Sequence, residues 1–281
     1  MNEENMENIC KILKDNGWGD IFNEDSIKEI NTSLSSISRN VEYGNYVLLP
    51  KESKFSGIFR AFELTPLRAV KVIIFGQDPY PNENRADGLA FSFKNAKEKP
   101  NNSLNNIFKQ LNDLNIKTEK TNLTDWANEG VLLLNTSLTF GKLKNSTKSD
   151  QNKIQQQHIK LWKPYISKIV DKLLSIERSK KEPLVIMLWG GYSNLLEQFR
   201  DDKNDDDYKN RNIHILRSSH PSNIGGTAKK YNGKFKSTAK KLKCKPLNNE
   251  VCAFMNGKHF EKCNRILGNN KINWNLIISS N

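Results

Sequence analysis

The sequence predicts an α/β fold, a single domain built on a four-stranded parallel sheet flanked by helices. Three observations carry the prediction. Four short runs rich in β-branched and other apolar residues recur at 70–75, 131–134, 184–188 and 213–216, the pattern of strands buried on both faces. Stretches with apolar residues at helical spacing separate them, and strand-helix alternation implies parallel strands joined by crossovers. The length, 281 residues with 13 Phe, 7 Tyr and 5 Trp, is too short for more than two ordinary domains and within the range of one α/β domain with extensions. The division expected is an N-terminal extension at 1–17 and the domain at 18–281.

The elements follow in order. The first run, VKVIIF, opens the sheet. After it Leu104, Ile107, Phe108 and Leu111 keep the i, i+3, i+4, i+7 spacing of a helix with one apolar face. The second run is followed by a longer stripe of Ile154, His158, Leu161, Tyr165 and Ile169. His158 lies on that stripe and is read as a core or partly exposed histidine, outside any chemistry. Between the third and fourth runs, residues 201–207 (DDKNDDD) form an acidic, solvated loop. Beyond the fourth run, residues 225–250 hold eight lysines, one acid and little periodic apolar content, the signature of an exposed basic insertion. No internal repeat is visible.

Composition excludes several classes of function. The longest apolar runs fall far short of the roughly 20 residues that span a bilayer. The N-terminus, MNEENMENIC, has no basic-then-apolar signal pattern, and four cysteines are few for this length. Both point to an intracellular setting, cytoplasmic or nuclear, without disulfides. Cys252, His259 and Cys263 lie near one another in sequence but without a CxxC knuckle, so no metal site is expected. Lys plus Arg total 44 against 31 Asp plus Glu, a net charge of +13, which favours an extended polyanion, nucleic acid first, as partner.

In an open parallel sheet, ligands bind at the carboxyl ends of the strands. All four ends carry unusual residues: Gly76-Gln77-Asp78-Pro79-Tyr80, Asn135-Thr136-Ser137, Trp189-Gly190-Gly191-Tyr192 and Ser218-Ser219-His220-Pro221-Ser222. Taken singly, Asp78 reads as a turn residue before a proline, Asn135 as a strand-end cap and His220 as a loop histidine. Their joint placement brings a carboxylate, an amide, a histidine and aromatics to one cleft.

These motifs carry a resemblance. GQDPY at 76–80, GLAFS at 88–92, Ser103-Leu104, LLLN at 132–135, LWG at 188–190 and HPS at 220–222 resemble, in order and spacing, the uracil-DNA glycosylases of the main GQDPY type. The likeness runs from about Trp18 to Trp274, with the Lys-rich segment as an insertion. It implies hydrolysis of the bond between uracil and deoxyribose in single- or double-stranded DNA after the base is flipped out, leaving an abasic site. Asp78 would position the attacking water and stabilise the sugar cation, while a neutral His220, with the Gln77 backbone, would bond uracil O2 as charge develops there. Asn135 would read the uracil edge, Tyr80 would block the C5 methyl of thymine, and Phe91 would stack on the base. Ser103 and Ser222 would grip flanking phosphates, and Ile224 would stand where the family's leucine wedge does. Water is the nucleophile in this chemistry, so no metal or organic cofactor is expected. The resemblance points to a monomer with no membrane association, with a replication or repair protein as a further partner.

The chain departs from the family pattern in places. The serine after LWG is Gly191, the serine after the wedge is Gly225, and the usual histidine after Tyr80 is Pro81, followed by Asn82-Glu83-Asn84-Arg85. Those losses, with the basic insertion, leave open a catalytically weak or inactive glycosylase-like DNA-binding scaffold of a replication complex. A nucleotide-binding α/β protein is the remaining alternative, but neither GxGxxG nor GxxxxGK is present.

Overall fold

The computed structural model describes residues 3–39, 41, 45–51, 56–176, 182–190, 211–222 and 254–278. Among them the parallel sheet is the organising element. Its strands are β2 (Val72–Gly76), β3 (Val131–Asn135), β5 (Leu184–Trp189) and β6 (Ile213–Ser218), in spatial order β3-β2-β5-β6. All three neighbouring pairs are parallel. Every residue of β2, β3 and β5 is buried, which is why these strands read as unbroken apolar runs, each fully buried aliphatic side chain contributing about 1.5–3 kcal/mol. The edge strand β6 is only half-buried along its middle.

The strands run further at their carboxyl ends than the apolar runs suggest. Gly76 pairs with Asn135, and Trp189 with Ser218. The first strand also starts later, at Val72, because Leu67–Ala69 form a 3-10 turn ahead of it. The chain proceeds from β2 outward to β3, then returns past β2 to β5 and β6, so the crevice where the order reverses lies between β2 and β5.

Helices α1 (Glu3–Asp15) and α2 (Glu24–Arg39) bring Ile9, Leu13, Ile27, Ile30 and Leu34 into the same core as the sheet. They pack near α3 (Ser56–Leu64), where Phe22 meets Phe59 and Phe62 edge-on or tilted at about 5 Å. Two helices bear directly on the site. The first, α4 (Asn102–Asn112), is capped by Asn101, whose side chain accepts from Leu104 N, and it buries Leu104, Ile107, Phe108 and Leu111 as its spacing predicts. After the short α5 (Thr124–Asn128) and β3 comes β4 (Phe140–Leu143), which pairs antiparallel with β1 (Tyr46–Leu49) in a separate two-stranded sheet. The second helix, α6 (Lys148–Ser175), is capped by Thr147.

His158, on α6, is fully buried. Its Nε2 lies 3.0 Å from Tyr46 Oη and its Nδ1 2.7 Å from Thr139 Oγ1, which also accepts from Trp162 Nε1. This histidine ties the small sheet to α6 as part of the core. Finally α7 (His259–Leu267) packs on β5, and Trp126, Phe260 and Trp274 form an aromatic cluster with centroids 4.9–5.9 Å apart. His259 is buried and accepts from Trp189 Nε1 at 2.8 Å. Cys252 and the insertion at 225–250 lie outside the described residues. No described helix is long and apolar enough to cross a membrane.

Candidate active site

The ends of β2 and β3 are stitched together before either chain leaves the sheet. Thr136 N donates to Gly76 O, and Ser137 N donates to Gln77 O at 2.9 Å. Thr136 Oγ1 donates to the same Gln77 carbonyl at 3.0 Å, so the N–H is the backbone group Gln77 has left to offer. Asn135 is 4% exposed. Its amide lies against Gly76, where any Cβ would overlap Asn135 Oδ1 and approach Ala90 Cβ to 2.9 Å. Glycine is thus required at 76 by close approach, and the approach holds the Asn135 amide in place.

Asp78 stands two residues beyond this junction. Its Oδ2 accepts from Nε2 of Gln155, on α6, at 2.9 Å. Burial pushes its carboxyl up to about 7, since removing a carboxylate from water penalises the charged form. The group therefore becomes an anion near neutral pH.

The aromatic side of the cleft is built around Phe91. That residue is nearly buried and has φ +65°, a left-handed backbone unusual for a bulky side chain. Its carbonyl accepts from Tyr80 Oη at 3.2 Å, and Tyr80 packs edge-on against Phe93 at 5.0 Å. The Phe91 ring lies 5.5 Å from Trp189 and 5.9 Å from His220, tilted to both. Gly190, at φ +89°, leaves room for His220, whose Cβ would come within 2.9 Å of any side chain there.

His220 Nδ1 accepts from Ser222 N at 3.1 Å. An accepting Nδ1 places the ring proton of the neutral imidazole on Nε2, which makes that nitrogen a donor. Burial lowers the His220 pKa to about 4, so the ring is neutral at pH 7. The cleft therefore combines a carboxylate that ionises near neutrality with a neutral histidine donor.

Ser103 occupies the first turn of α4, with the N-terminal end of the helix beside it, a setting suited to a phosphate. One turn on, Asn106 Nδ2 donates to Pro221 O at 2.7 Å, and a further turn on, Gln110 Nε2 donates to Phe254 O. Ser219 Oγ accepts from Phe254 N at 3.0 Å. A single face of α4 thus braces the chain before and after the insertion. The structure links Gln77, Asp78, Tyr80, Phe91, Asn135, His220 and Ser222 around one sheet edge, with Ser103 joined through α4. Ile224, Gly191 and Gly225 lie outside the described residues.

Sequence reasoning missed Gln155, Asn106 and Gln110. A signal existed for each. Gln155 stands three residues before His158 and seven before Trp162 on α6, and Asn106 and Gln110 flank the apolar stripe of α4. Polar residues bordering a buried stripe are where such bonds are to be sought.

Fold and site together define an α/β protein with a carboxylate, an amide and a neutral histidine gathered at the carboxyl edge of its parallel sheet. Residues 62–244 match the model of the uracil DNA glycosylase superfamily. A uracil-DNA glycosylase of Campylobacter jejuni is 33% identical over 98% of this chain and 100% of its own length, and one of Pseudomonas aeruginosa is 30% identical over 96% and 98%. The crystal structure of mimivirus uracil-DNA glycosylase shares the fold, with a TM-score of 0.64 at 21% identity, covering 92% of this chain and 86% of that one. The chain belongs to the uracil-DNA glycosylase superfamily.

Proposed function

We propose that this protein removes uracil from DNA as a GQDPY-type member of the superfamily, cleaving the N-glycosidic bond of a flipped nucleotide and leaving an abasic site. One observation carries the reading: a carboxylate ionising near pH 7, a buried amide and a neutral histidine with its proton on Nε2 border one cleft.

As the bond between C1′ and uracil N1 breaks, its electron pair moves into the uracil ring, and positive charge grows on the sugar. Asp78, as an anion, faces that charge and takes a proton from the water that adds to C1′. His220 Nε2–H donates to uracil O2, with the Gln77 N–H at the same edge. Asn135 accepts from uracil N3–H and donates to O4, whereas cytosine leaves both groups unpaired, at about 1–3 kcal/mol each. Tyr80 fills the space beside C5, held there by its bond to the Phe91 carbonyl, and the Phe91 ring stacks on the base. Ser103 and Ser222 hold phosphates, and Ile224 wedges the vacated stack. The Lys-rich segment at 225–250 adds backbone contacts to DNA. The partner is uracil-containing DNA, and a monomer inside the cell suffices for the reaction.

The test is incubation with a uracil-containing oligonucleotide, single- and double-stranded, in EDTA, followed by alkali. Cleavage at the uracil position is expected. Absence of abasic product on both substrates would favour the inactive DNA-binding scaffold instead.

A further inference from the structure

Among the described residues, Gln155 is the only side chain hydrogen-bonded to Asp78. It reaches the site from α6, across the end of the sheet, and is 7% exposed. Its other amide atom, Oε1, is buried with no hydrogen-bond partner among the described residues. A buried amide with one end on a carboxylate and the other unpaired is costly to keep, and an apolar side chain of the same size would fill the place more cheaply. Pro81, beside the site in sequence, has no polar side-chain atom to offer in its stead.

We propose that Gln155 is a positioning residue for the hydrolysis set out above, and the inference rests on that reading. Its Nε2–H fixes Asp78 Oδ2 so that Oδ1 is left for the water. The water then meets an acceptor of fixed orientation when it adds to C1′; one hydrogen passes to Asp78 and the other stays on the new hydroxyl.

The surroundings leave this task to Gln155. Among the described residues no charged group shifts the Asp78 carboxyl, whose rise comes from burial, and Tyr80 in the loop, His158 on α6 and His220 after β6 are neutral at pH 7. In the loop beyond Pro81, Glu83 pairs with Lys51 and Arg85 with Glu98. Lys142, on β4, acts on Glu83. A donor that stabilises the anion also counters the burial that holds the carboxyl near 7.

The experiment measures single-turnover uracil release from a single-stranded oligonucleotide across pH 5.5–9 for wild type, Gln155→Met, Gln155→Glu, Asp78→Asn and the Asp78→Asn/Gln155→Met double variant. Binding of a thymine-containing oligonucleotide and thermal midpoints are followed alongside. Gln155→Met is expected to lower the rate by about 10- to 100-fold, the usual scale for losing a bond to a charged group. It should also move the acidic limb to higher pH, with affinity and midpoint unchanged. Gln155→Glu should move the limb further, because two adjoining carboxylates share a proton. In the Asp78→Asn background Gln155→Met should add less than about twofold, the non-additivity of residues acting as one unit.

A wild-type rate and limb in Gln155→Met, or its full loss repeated on Asp78→Asn, would overturn the inference. If Gln155→Met melts far below wild type, Gln155→Glu decides alone, and wild-type activity at pH 7 overturns it. Failure of the functional reading looks different: the wild type itself then releases no uracil, and the inference falls with it.

Discussion

Asp78→Asn should make the protein inactive and more stable at the same time. The carboxyl is held near pH 7 by burial, against an ordinary value of 3.8. Below pH 3.8 the group carries its proton in native and unfolded chains alike and costs nothing. Between 3.8 and about 7 the unfolded chain has released a proton that the native chain retains, so stability falls as pH rises; above about 7 the loss is complete. A separation of about 3 between native and unfolded pKa values corresponds to about 4 kcal/mol at pH 8. At pH 5 only about 2 kcal/mol has been lost by the same relation. Asparagine removes the charge and keeps an oxygen for Gln155 Nε2. Urea unfolding at pH 8 should therefore show Asp78→Asn more stable than wild type by about 2–4 kcal/mol, with the gain shrinking by about 2 kcal/mol at pH 5. Turnover should drop by orders of magnitude while DNA binding survives, because the charge acts mainly as the sugar cation develops. A variant no more stable than wild type at pH 8, or equally stabilised at both pH values, would refute the argument that burial of this carboxylate is paid for in folding free energy.

Asn135→Asp should erode the distinction between uracil and cytosine, since a carboxylate cannot donate to O4, and Tyr80→Ala should admit thymine; if both variants stay folded and gain no activity on either base, those recognition roles are wrong. Gly76→Ala should displace the Asn135 amide, costing about 1–3 kcal/mol in unfolding free energy and raising KM for uracil DNA, and wild-type kinetics would show that this close approach does not set the site. Replacing the eight lysines of 225–250 with glutamine should flatten the dependence of log affinity on log salt, each lost phosphate contact removing about 0.9 on duplex or about 0.7 on single-stranded DNA. Equal slopes would mean that the segment faces away from DNA.

The parallel sheet was legible because β2, β3 and β5 are buried throughout, so burial wrote itself as uninterrupted apolar runs. Their last residues were harder to read. Gly76, Asn135 and Ser218 belong to the ladder by register, although none is a strand-forming apolar residue. The pair β1–β4 left no clear trace, since its residues are mostly half-buried and its partners lie far apart in sequence. At the site, short motifs named Asp78, Asn135 and His220. Gln155 was hidden within a run of three glutamines, a pattern that reads as a solvated helix face. What distinguishes it is the tertiary placement of α6 against the loop after β2, which no local pattern encodes.

The bracing of α4 has a consequence for how this protein can change. Asn106 grips the chain at Pro221 and Gln110 grips it at Phe254, one helical turn apart. The two ends of the intervening stretch, 222–253, are therefore fixed by a helix rather than by the stretch itself. Closing a connection whose ends are already pinned depends only logarithmically on its length, about 0.6 kcal/mol for each doubling. Beyond Ser222, whose N–H sets the His220 ring, and Ile224, the segment can be lengthened, trimmed or exchanged for a foreign module with His220 left where it is, so this is a position at which such a protein can acquire new appendages, and one at which a designer can splice them in.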